Sequence, residues 1–371
     1  MKNIKVNKEN FITYIYFFII TFCKGIGLSG NNKFFIISSL VGTFLILLKL
    51  LSASLKKNDF IALIFIVLIG LVDYIVGGTT TILFTALALC CLKDTKLKSI
   101  IKIMFWTRLL TFIMMILLSS FGIIENNIIE QYRFGSGVIS RYTFGYSHPN
   151  FTHSAFAIIV FLGGYLYGSK MKLPHYFLVF LANYIIYYFT ISRTGYYLVF
   201  FYLILLFFHN KVRWTKKIEP FILKYLFFVV FGLSVFCAYS YGKIDFVNHL
   251  DNALTGRIRY LNLLVTNYNP PLFGSTIYEG KILFDNGYFS LLYEGGILAA
   301  IYFVFYMFKS NKYLIKNKMS DEILLVIIFM IYCTFESYYP SILMNPSLLM
   351  FCYSIFNYNN KLQGDINEKN E

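Results

Sequence analysis

The chain has 371 residues, of which 58% are hydrophobic, 20% aromatic and only 14% charged, and its formal net charge is +15. A soluble domain carries about 25% charged residues and under half apolar ones, so this composition excludes an ordinary soluble enzyme, a disordered chain and a disulfide-stabilised scaffold. At about 20 residues per span, the chain has room for about twelve membrane-spanning helices and one or two sizeable loops.

Long apolar runs follow one another along the whole chain. They cover residues 11–29, 34–52, 60–77, 79–92, 100–122, 149–168, 174–191, 195–210, 221–241, 286–308, 322–338 and 343–357. Each run predicts a transmembrane helix, because lipid offers no partner for a free backbone group and the signal is too continuous for a β-barrel. The predicted fold is an all-α polytopic integral membrane protein with one transmembrane domain over residues 1–371.

Basic residues are divided unequally between the two sides of this predicted bundle. When the loops are numbered alternately, 23 Lys and Arg residues fall on the side of the termini and 9 on the other. Because cytoplasmic loops are enriched in basic residues, both termini are predicted to be cytoplasmic. The positive charge then reflects topology and attraction to anionic lipid rather than nucleic-acid binding.

The two sides also differ in the kind of basic residue. The inner side has 22 Lys and one Arg, whereas the outer side has five Arg and four Lys. Arginine has a planar fork that suits phosphate, whereas lysine is a hydrated point charge. The outer arginines therefore indicate an anion site on the external face, while Arg108, within a span, is predicted to extend toward the inner surface.

Two external segments are long, residues 123–148 and 242–285, and long ordered loops tend to be functional. The second has apolar residues at three- and four-residue spacing, which predicts an amphipathic helix on the membrane surface. These residues are Val247, Leu250, Leu254, Ile258, Leu261 and Val265.

The first long segment ends in Arg141-Tyr142-Thr143-Phe144-Gly145-Tyr146-Ser147-His148-Pro149-Asn150. Pro149 suits the first turn of the following helix, which places His148 near a helix N-terminus. The segment is either a helix cap with interfacial tyrosines or the edge of a polar, aromatic pocket. We favour the pocket, with Arg141, Tyr146 and His148 as candidate binding or catalytic residues.

In the second segment, Thr255-Gly256-Arg257 interrupts the periodicity like a new N-cap. A helix that starts with Arg257 attracts anions through its N–H groups and its charge. Arg259 lies ~200° around such a helix, so both arginines cannot face one ligand, and we prefer Arg257. The alternative is that both contact lipid headgroups.

Arg193 lies in the tight turn Ser192-Arg193-Thr194-Gly195. It is either an interfacial anchor or, held between two helices, a clamp for a diphosphate. Asp285 is either the N-cap of the next helix or a general base. Glu294, about 13 Å deeper on a helix, is a further candidate because a carboxylate inside a span is usually functional. Glu336 also lies towards the outer end of its span.

The six cysteines all fall within apolar runs and have no metal-ligand spacing. They are interpreted as small hydrophobic residues. The sequence therefore predicts neither a metal site nor a cofactor.

These motifs together resemble the O-antigen ligase/Wzy polymerase superfamily over residues 130–300. The similar segments are Phe144-Gly145-Tyr146-Ser147-His148-Pro149-Asn150, Ser192-Arg193-Thr194-Gly195, Thr255-Gly256-Arg257, Pro271-Leu272-Phe273-Gly274, Asp285-Asn286-Gly287-Tyr288 and Leu291-Leu292-Tyr293-Glu294-Gly295-Gly296.

The resemblance implies a GT-C-like membrane glycosyltransferase that takes a polyprenyl-diphosphate-linked glycan and requires neither metal nor nucleotide sugar. It implies that Arg193 and Arg257 hold the diphosphate and that Arg141 and His148 line the same cavity. Ligases of the superfamily usually have histidine where this chain has Asp285, which favours a polymerase.

In the implied reaction an acceptor hydroxyl attacks the anomeric carbon, lipid diphosphate leaves, and a carboxylate or histidine accepts the proton. As proton acceptor we rank Asp285 first, then His148, then Glu294. The Ile-, Lys-, Asn-, Phe- and Tyr-rich composition suggests an AT-rich bacterium, and hence capsular or exopolysaccharide made at its plasma membrane. Partners are then the bilayer, the lipid-linked oligosaccharide and other membrane proteins of capsule assembly.

Two alternatives stay open. A ligase would share the fold and the arginine clamp but transfer the finished glycan to another acceptor. A polysaccharide transporter or flippase should show repeated halves and ionisable residues near the bilayer midplane, and neither pattern is visible in the sequence.

Overall fold

The computed structural model describes residues 8–28, 32–52, 55–133, 137–212, 215–276, 282 and 285–356. The predicted loop 242–285 includes residues outside this set, namely 277–281 and 283–284. The predicted cytoplasmic termini likewise include residues 1–7 and 357–371, which lie outside it.

The described chain is mainly α-helical, with one short β-hairpin. Its helices are α1 (Lys8–Gly25), α2 (Lys33–Ser52), α3 (Lys57–Gly77), α4 (Thr81–Cys90), α5 (Leu97–Ser120), α6 (Pro149–Tyr167), α7 (Leu173–Thr190), α8 (Arg193–Lys211), α9 (Thr215–Ser240), α10 (Asp245–Ala253), α11 (Arg257–Asn267), α12 (Gly287–Tyr293), α13 (Gly296–Lys316), α14 (Ser320–Phe335) and α15 (Phe351–Ile355). Short 3-10 turns cover Gly168–Lys170 and Pro346–Met350.

Five of the described helices are long and apolar enough to cross a membrane: Lys33–Leu50, Lys57–Gly77, Leu97–Ser120, Pro149–Lys170 and Thr215–Ser240. The prediction of an all-α membrane protein is confirmed at this level. Helix α4 has 10 residues and α15 has 5, fewer than the roughly 20 that a bilayer requires. The structure therefore supports fewer full crossings than the twelve apolar runs predicted.

The first long external segment contains a β-hairpin that the sequence analysis missed. Strands β1 (Ile128–Arg133) and β2 (Gly137–Tyr142) pair antiparallel, with Gln131 opposite Ile139. Gly137 has φ +71°, a left-handed conformation that glycine adopts without cost. The hairpin stands over the N-terminus of α6 and forms one wall of the site described below.

The tenth apolar run, residues 286–308, is not one continuous helix as predicted. Helix α12 ends at Tyr293, and α13 starts at Gly296. Gly296 has φ +79°, which side chains with a β-carbon rarely adopt. The chain therefore turns at this glycine instead of continuing as a helix.

Residues 271–274 fill this break. Their carbonyl groups accept hydrogen bonds from the first turn of α13: Ile297 N–H donates to Pro271 O (2.9 Å) and Leu298 N–H to Leu272 O (3.2 Å). The first N–H groups of a helix have no partner within the helix. Residues 271–274 and the break between α12 and α13 therefore interlock. This contact, called the interlock below, fixes the second long segment to the bundle.

The interlock predicts large effects of adding a β-carbon at its two glycines. A Cβ at Gly274 would overlap the carbonyl oxygen of Glu294, and one at Gly296 would overlap the backbone of Phe273. We expect Gly274→Ala and Gly296→Ala each to cost about 3 kcal/mol or more of folding stability, since neither neighbour is a flexible side-chain end. Thermal melting of the detergent-solubilised protein measures this. Gly232→Ala is the control, because its Cβ would meet no atom within 4 Å; a melting temperature equal to that control would contradict the interlock.

The two ends of the bundle differ in charge. Helices α6 and α8 begin, and α7 and α14 end, at the end that carries the hairpin. The turns at the opposite end are lysine-rich, with Lys170 and Lys172 between α6 and α7, and Lys316 and Lys318 between α13 and α14.

At the lysine-rich end, His209 joins three helices. Its Nδ1 lies 2.7 Å from Glu219 Oε1, and its Nε2 lies 2.9 Å from Asp321 Oδ1. Only the doubly protonated ring donates to both carboxylates. The contacts hold α8, α9 and α14 together beneath the site.

Arg108 does not extend to the inner surface as predicted. It is buried, and it donates a hydrogen bond to the carbonyl oxygen of Leu343, with Met344 Sδ at 3.8 Å. Leu343 lies in the non-helical stretch after α14, where carbonyl groups lack helical partners. Arg108 therefore satisfies irregular backbone inside the bundle.

Candidate functional site

A cavity of about 810 Å³ lies at the hairpin end of the bundle. Its walls are the hairpin, the first turns of α6 and α8, the turn between α10 and α11, and the last turn of α14. The charged, amide and imidazole side chains among its lining residues are Glu130, Gln131, Arg141, His148, Asn150, Arg193, Arg257 and Asp285.

The cavity brings together five of the seven predicted site residues. Arg141, His148, Arg193, Arg257 and Asp285 all line it, although they come from widely separated parts of the chain. Sequence order alone could not show this proximity, because it depends on helix packing.

Arg141 crosses from the hairpin to two helices. Its Nε donates to Thr190 O (2.8 Å), its Nη1 to Gln131 Oε1 (3.0 Å) and its Nη2 to Asn150 Oδ1 (2.6 Å). Residue Arg141 is only 3% exposed. The guanidinium thus fixes the hairpin to the end of α7 and the start of α6 and presents positive charge to the cavity.

This geometry predicts that Arg141→Lys loosens the hairpin although it preserves the charge. A lysine cannot span three acceptors in one plane, and each lost charge-assisted hydrogen bond is worth about 1.5–3 kcal/mol. We expect the hairpin to be cleaved at least about tenfold faster in limited proteolysis. Arg259→Lys, on α11, is the matched control. Equal cleavage rates in the two variants would show that Arg141 does not hold the hairpin.

Arg193 is the first residue of α8, after Ser192 and the left-handed Ile191 (φ 46°) that ends α7. The residue is half-buried and lines the cavity. In the part of the chain that the structure describes, its guanidinium has no hydrogen bond and no ion pair. Because a helix N-terminus adds positive potential, Arg193 is positioned to receive an anion.

Arg257 is held by groups at the end of α14. Its Nη1 donates to the carbonyl oxygen of Phe335, and its Nη2 lies 3.4 Å from Asp285 Oδ2 and 3.6 Å from Glu336 Oε1. The guanidinium therefore sits between two carboxylates. Its charge is partly neutralised, unlike that of Arg193.

The turn before Arg257 is a helix start, as predicted, with Gly256 (φ 84°) in the N-cap position. One N–H group predicted to face an anion is already used, since Asp251 Oδ1 accepts from Arg259 N–H (3.0 Å). The side chain of Arg259 lies over the Tyr260 ring, 5.3 Å from its centroid. Arg257 lines the cavity and Arg259 does not, which agrees with the preference for Arg257.

Asp285 does not cap the next helix, which was the alternative interpretation. Asn286 does so, because its Oδ1 accepts from Tyr288 N–H (3.1 Å) and Phe289 N–H (3.2 Å). The Asp285 side chain is 45% exposed and reaches the cavity beside Arg257. It is therefore accessible to a bound hydroxyl group.

Glu336 was noted in the sequence but not predicted as a site residue. It follows the last residue of α14, and its side chain is only 7% exposed. Burial raises the pKa of Glu336 to about 7, which the nearby Asp285 reinforces and Arg257 opposes. The signal that could have identified it is a lone carboxylate at the end of an apolar run.

His148 is the N-cap of α6, as its position before Pro149 predicted. Its Nδ1 accepts a hydrogen bond from Asn150 N–H (3.1 Å), so in the neutral ring the proton is on Nε2. Burial, followed by the charge of Arg141, lowers the pKa of His148. At neutral pH the ring therefore offers a donor rather than a proton acceptor, and His148 ranks well behind Asp285.

The structure does not bring Tyr146 or Glu294 to the cavity lining. Tyr146 is buried, and its hydroxyl donates to Gly25 O (3.0 Å), which ties α1 to the loop before α6. The carboxylate of Glu294 accepts from the Ser290 hydroxyl, and its backbone oxygen accepts from the Thr79 hydroxyl (3.2 Å). The structure therefore does not bring Tyr146 and Glu294 together with the other five predicted site residues.

One side of the cavity is apolar. Leu198 and Phe201 of α8 face it, as do Ile331 and Phe335 of α14. Charged groups and an apolar wall in the same cavity suit a ligand with an anionic head and a hydrocarbon tail.

The cavity lining carries charges of both signs. Arg141, Arg193 and Arg257 are its cationic side chains and Glu130 and Asp285 its carboxylates, and Glu336 lies beside Arg257 without lining the cavity. Among the described residues, no group of three His, Cys, Asp or Glu side chains is placed to hold a metal ion. The cavity thus contains guanidinium groups that can bind an anion and an accessible carboxylate, Asp285, that can accept a proton.

Comparisons of the chain with family models, with curated proteins and with solved structures found no match. What the protein does must be inferred from the cavity itself.

Proposed function

We propose that the protein is a membrane glycosyltransferase that polymerises polyprenyl-diphosphate-linked oligosaccharide repeat units into capsular or exopolysaccharide. The observation that carries this proposal is the Arg193 guanidinium, which has no hydrogen bond or ion pair within the described chain and shares a cavity with the accessible carboxylate of Asp285.

The ligand class follows from the two sides of the cavity. Guanidinium groups bind the oxygens of a diphosphate by paired hydrogen bonds, and Arg193 and Arg257 are the two such groups proposed here. Arg141, whose nitrogens already donate to three protein acceptors, adds positive charge to the cavity. The apolar wall of α8 and α14 suits the first isoprene units of the lipid. A free nucleotide sugar would gain little from that wall.

In the reaction, the oxygen of an acceptor hydroxyl forms a bond to the anomeric carbon of the donor glycan. The bond from that carbon to the diphosphate oxygen breaks, and its electron pair stays on the lipid diphosphate. Asp285 takes the hydroxyl proton, while Arg193 and Arg257 stabilise the charge that develops on the leaving group. This single displacement would invert the anomeric centre.

The proposal places the cavity on the outer face of a bacterial cytoplasmic membrane. The turns at the opposite end of the bundle are rich in lysine, which favours the cytoplasmic side. Both termini would then be cytoplasmic, with about twelve membrane segments in a GT-C-like arrangement, some of them short helices within the bundle.

The direct test is purified protein in lipid nanodiscs with a lipid-linked oligosaccharide as donor and acceptor. A ladder of longer lipid-linked products is expected. Cells without the protein separate the polymerase from the ligase alternative: single lipid-linked repeat units should accumulate if it polymerises, whereas long polymer on the lipid carrier would indicate a ligase.

A further inference from the structure

Arg257 lies between two carboxylates that differ in freedom of movement. Asp285 is 45% exposed, whereas the Glu336 side chain is 7% exposed. Arg257 also donates to the carbonyl oxygen of Phe335, the residue directly before Glu336. Two of its three partners thus belong to the fixed end of α14, and the third faces the cavity.

The end of α14 is itself well anchored. Asn286, next to Asp285, donates from Nδ2 to Thr334 O (3.0 Å) and to Ser234 Oγ (3.0 Å). The tie holds α14 against α9 and α12. Glu336 therefore cannot follow a ligand into the cavity, whereas the Asp285 side chain can turn.

An entering diphosphate would compete for Arg257 with both carboxylates. The exposed carboxylate can be replaced, because water solvates it once it is released. The buried carboxylate cannot be replaced at similar cost, since it would lose its counter-ion without gaining solvent.

Building on the proposed function, we propose that Glu336 is a positioning residue that anchors Arg257 to the end of α14, so that donor binding releases Asp285 from its ion pair. Arg257 then joins the diphosphate from a fixed point. Asp285, relieved of its cation, becomes the better proton acceptor only when the donor is in place. Donor binding and base activation are thereby coupled.

The coupling has a pH signature. The anchor requires that Glu336 is ionised, and burial raises the pKa of Glu336 to about 7. The ion pair between Glu336 and Arg257 is therefore present above about pH 7 and is lost as the pH falls through this value. The groups that act on Glu336 or share its surroundings are Arg257, Asp285, Tyr332, Cys333 and Tyr338. His148 titrates separately and lower, since its pKa is below its ordinary value.

The kinetic test is the pH profile of donor turnover for the wild-type protein and for Glu336→Gln. The wild type should show a rise in donor KM of about tenfold as the pH falls through about 7. Glu336→Gln should show the high KM at every pH, with no step near 7, and a smaller change in kcat. Glu336→Asp, which keeps an ionisable carboxylate, should keep a step. Glu125→Gln, an exposed carboxylate of the first external segment, should behave as wild type.

A structural test separates this inference from the proposed function. Cryo-electron microscopy of ligand-free Glu336→Met, which keeps side-chain volume but has no acceptor, should show Arg257 turned from the Phe335 carbonyl toward Asp285. If the wild type lacks turnover, the proposed function fails, while the position of Arg257 still decides the role of Glu336. An unmoved Arg257, or a step near pH 7 that persists in Glu336→Gln, would overturn the anchor.

Discussion

Arg193→Ala is expected to abolish polymer formation, with turnover of the lipid-linked donor reduced by about 100- to 1,000-fold. Arg193 is half-buried at the start of α8 and lines the cavity, and its guanidinium makes no hydrogen bond or ion pair to any described residue. In the transition state it would gain a strong partner without losing one. Arg193→Lys should recover little activity, because the bidentate fork is lost.

The matched control is Arg259→Ala, which removes a nearby arginine whose side chain lies over the Tyr260 ring and does not line the cavity. Labelled products on a gel measure chain length, and size-exclusion chromatography shows whether each variant folds. Normal chain length in Arg193→Ala would reject the clamp. Arg257→Ala should also abolish polymer, but it removes the cation beside the buried Glu336. Its stability should therefore fall as well, and Arg193→Ala is the more specific test of the clamp.

The second large effect is expected for Asp285→Asn, which keeps the shape of the side chain but cannot accept a proton. We expect kcat to fall by about 100- to 10,000-fold. Donor binding should be unchanged or tighter, because Arg257 loses a competing carboxylate 3.4 Å away. Steady-state kinetics with purified protein measure kcat and the donor KM separately, with Glu125→Gln as the control.

His148→Gln provides the contrast to Asp285→Asn. Because Nδ1 of His148 accepts from Asn150 N–H, the neutral ring contributes a donor, and its loss should cost less than loss of the base. Full activity of Asp285→Asn together with an inactive His148→Gln would move the proton acceptor to the histidine.

Much of the candidate site could be predicted from the sequence because several of its residues are charged and fall on the predicted outer side. Arg141, Arg193 and Arg257 stand out as arginines on the side where basic residues are few, and the sidedness follows from counting apolar runs. The structure then places all three at one cavity.

Tyr146 and Glu294 were predicted as site residues but do not line the cavity. A tyrosine in a polar loop and a carboxylate inside an apolar run both suggest chemistry, yet Tyr146 bonds to Gly25 O and Glu294 lies in the interlock of α12 and α13. Their partners are distant in sequence. Glu336 could not be predicted as a site residue for the same reason, because its partner Arg257 is distant in sequence. The proposed role of Glu336 depends on α11 bringing Arg257 to the end of α14.

Hydropathy alone does not show which apolar runs cross the membrane completely. The run at residues 343–357 is apolar because Leu348, Leu349 and Phe351 are buried inside the bundle, where a 3-10 turn and the short α15 replace a spanning helix. A buried helix and a spanning helix have similar compositions, and only length distinguishes them.

The most direct measurement is the position of the diphosphate in a cryo-electron microscopy structure of the protein in nanodiscs with undecaprenyl diphosphate. The diphosphate is predicted to lie about 3 Å from the guanidinium of Arg193, with the lipid tail along Phe201 and Ile331. A diphosphate bound elsewhere with no contact to Arg193, or no bound lipid at saturating concentration, would contradict the account.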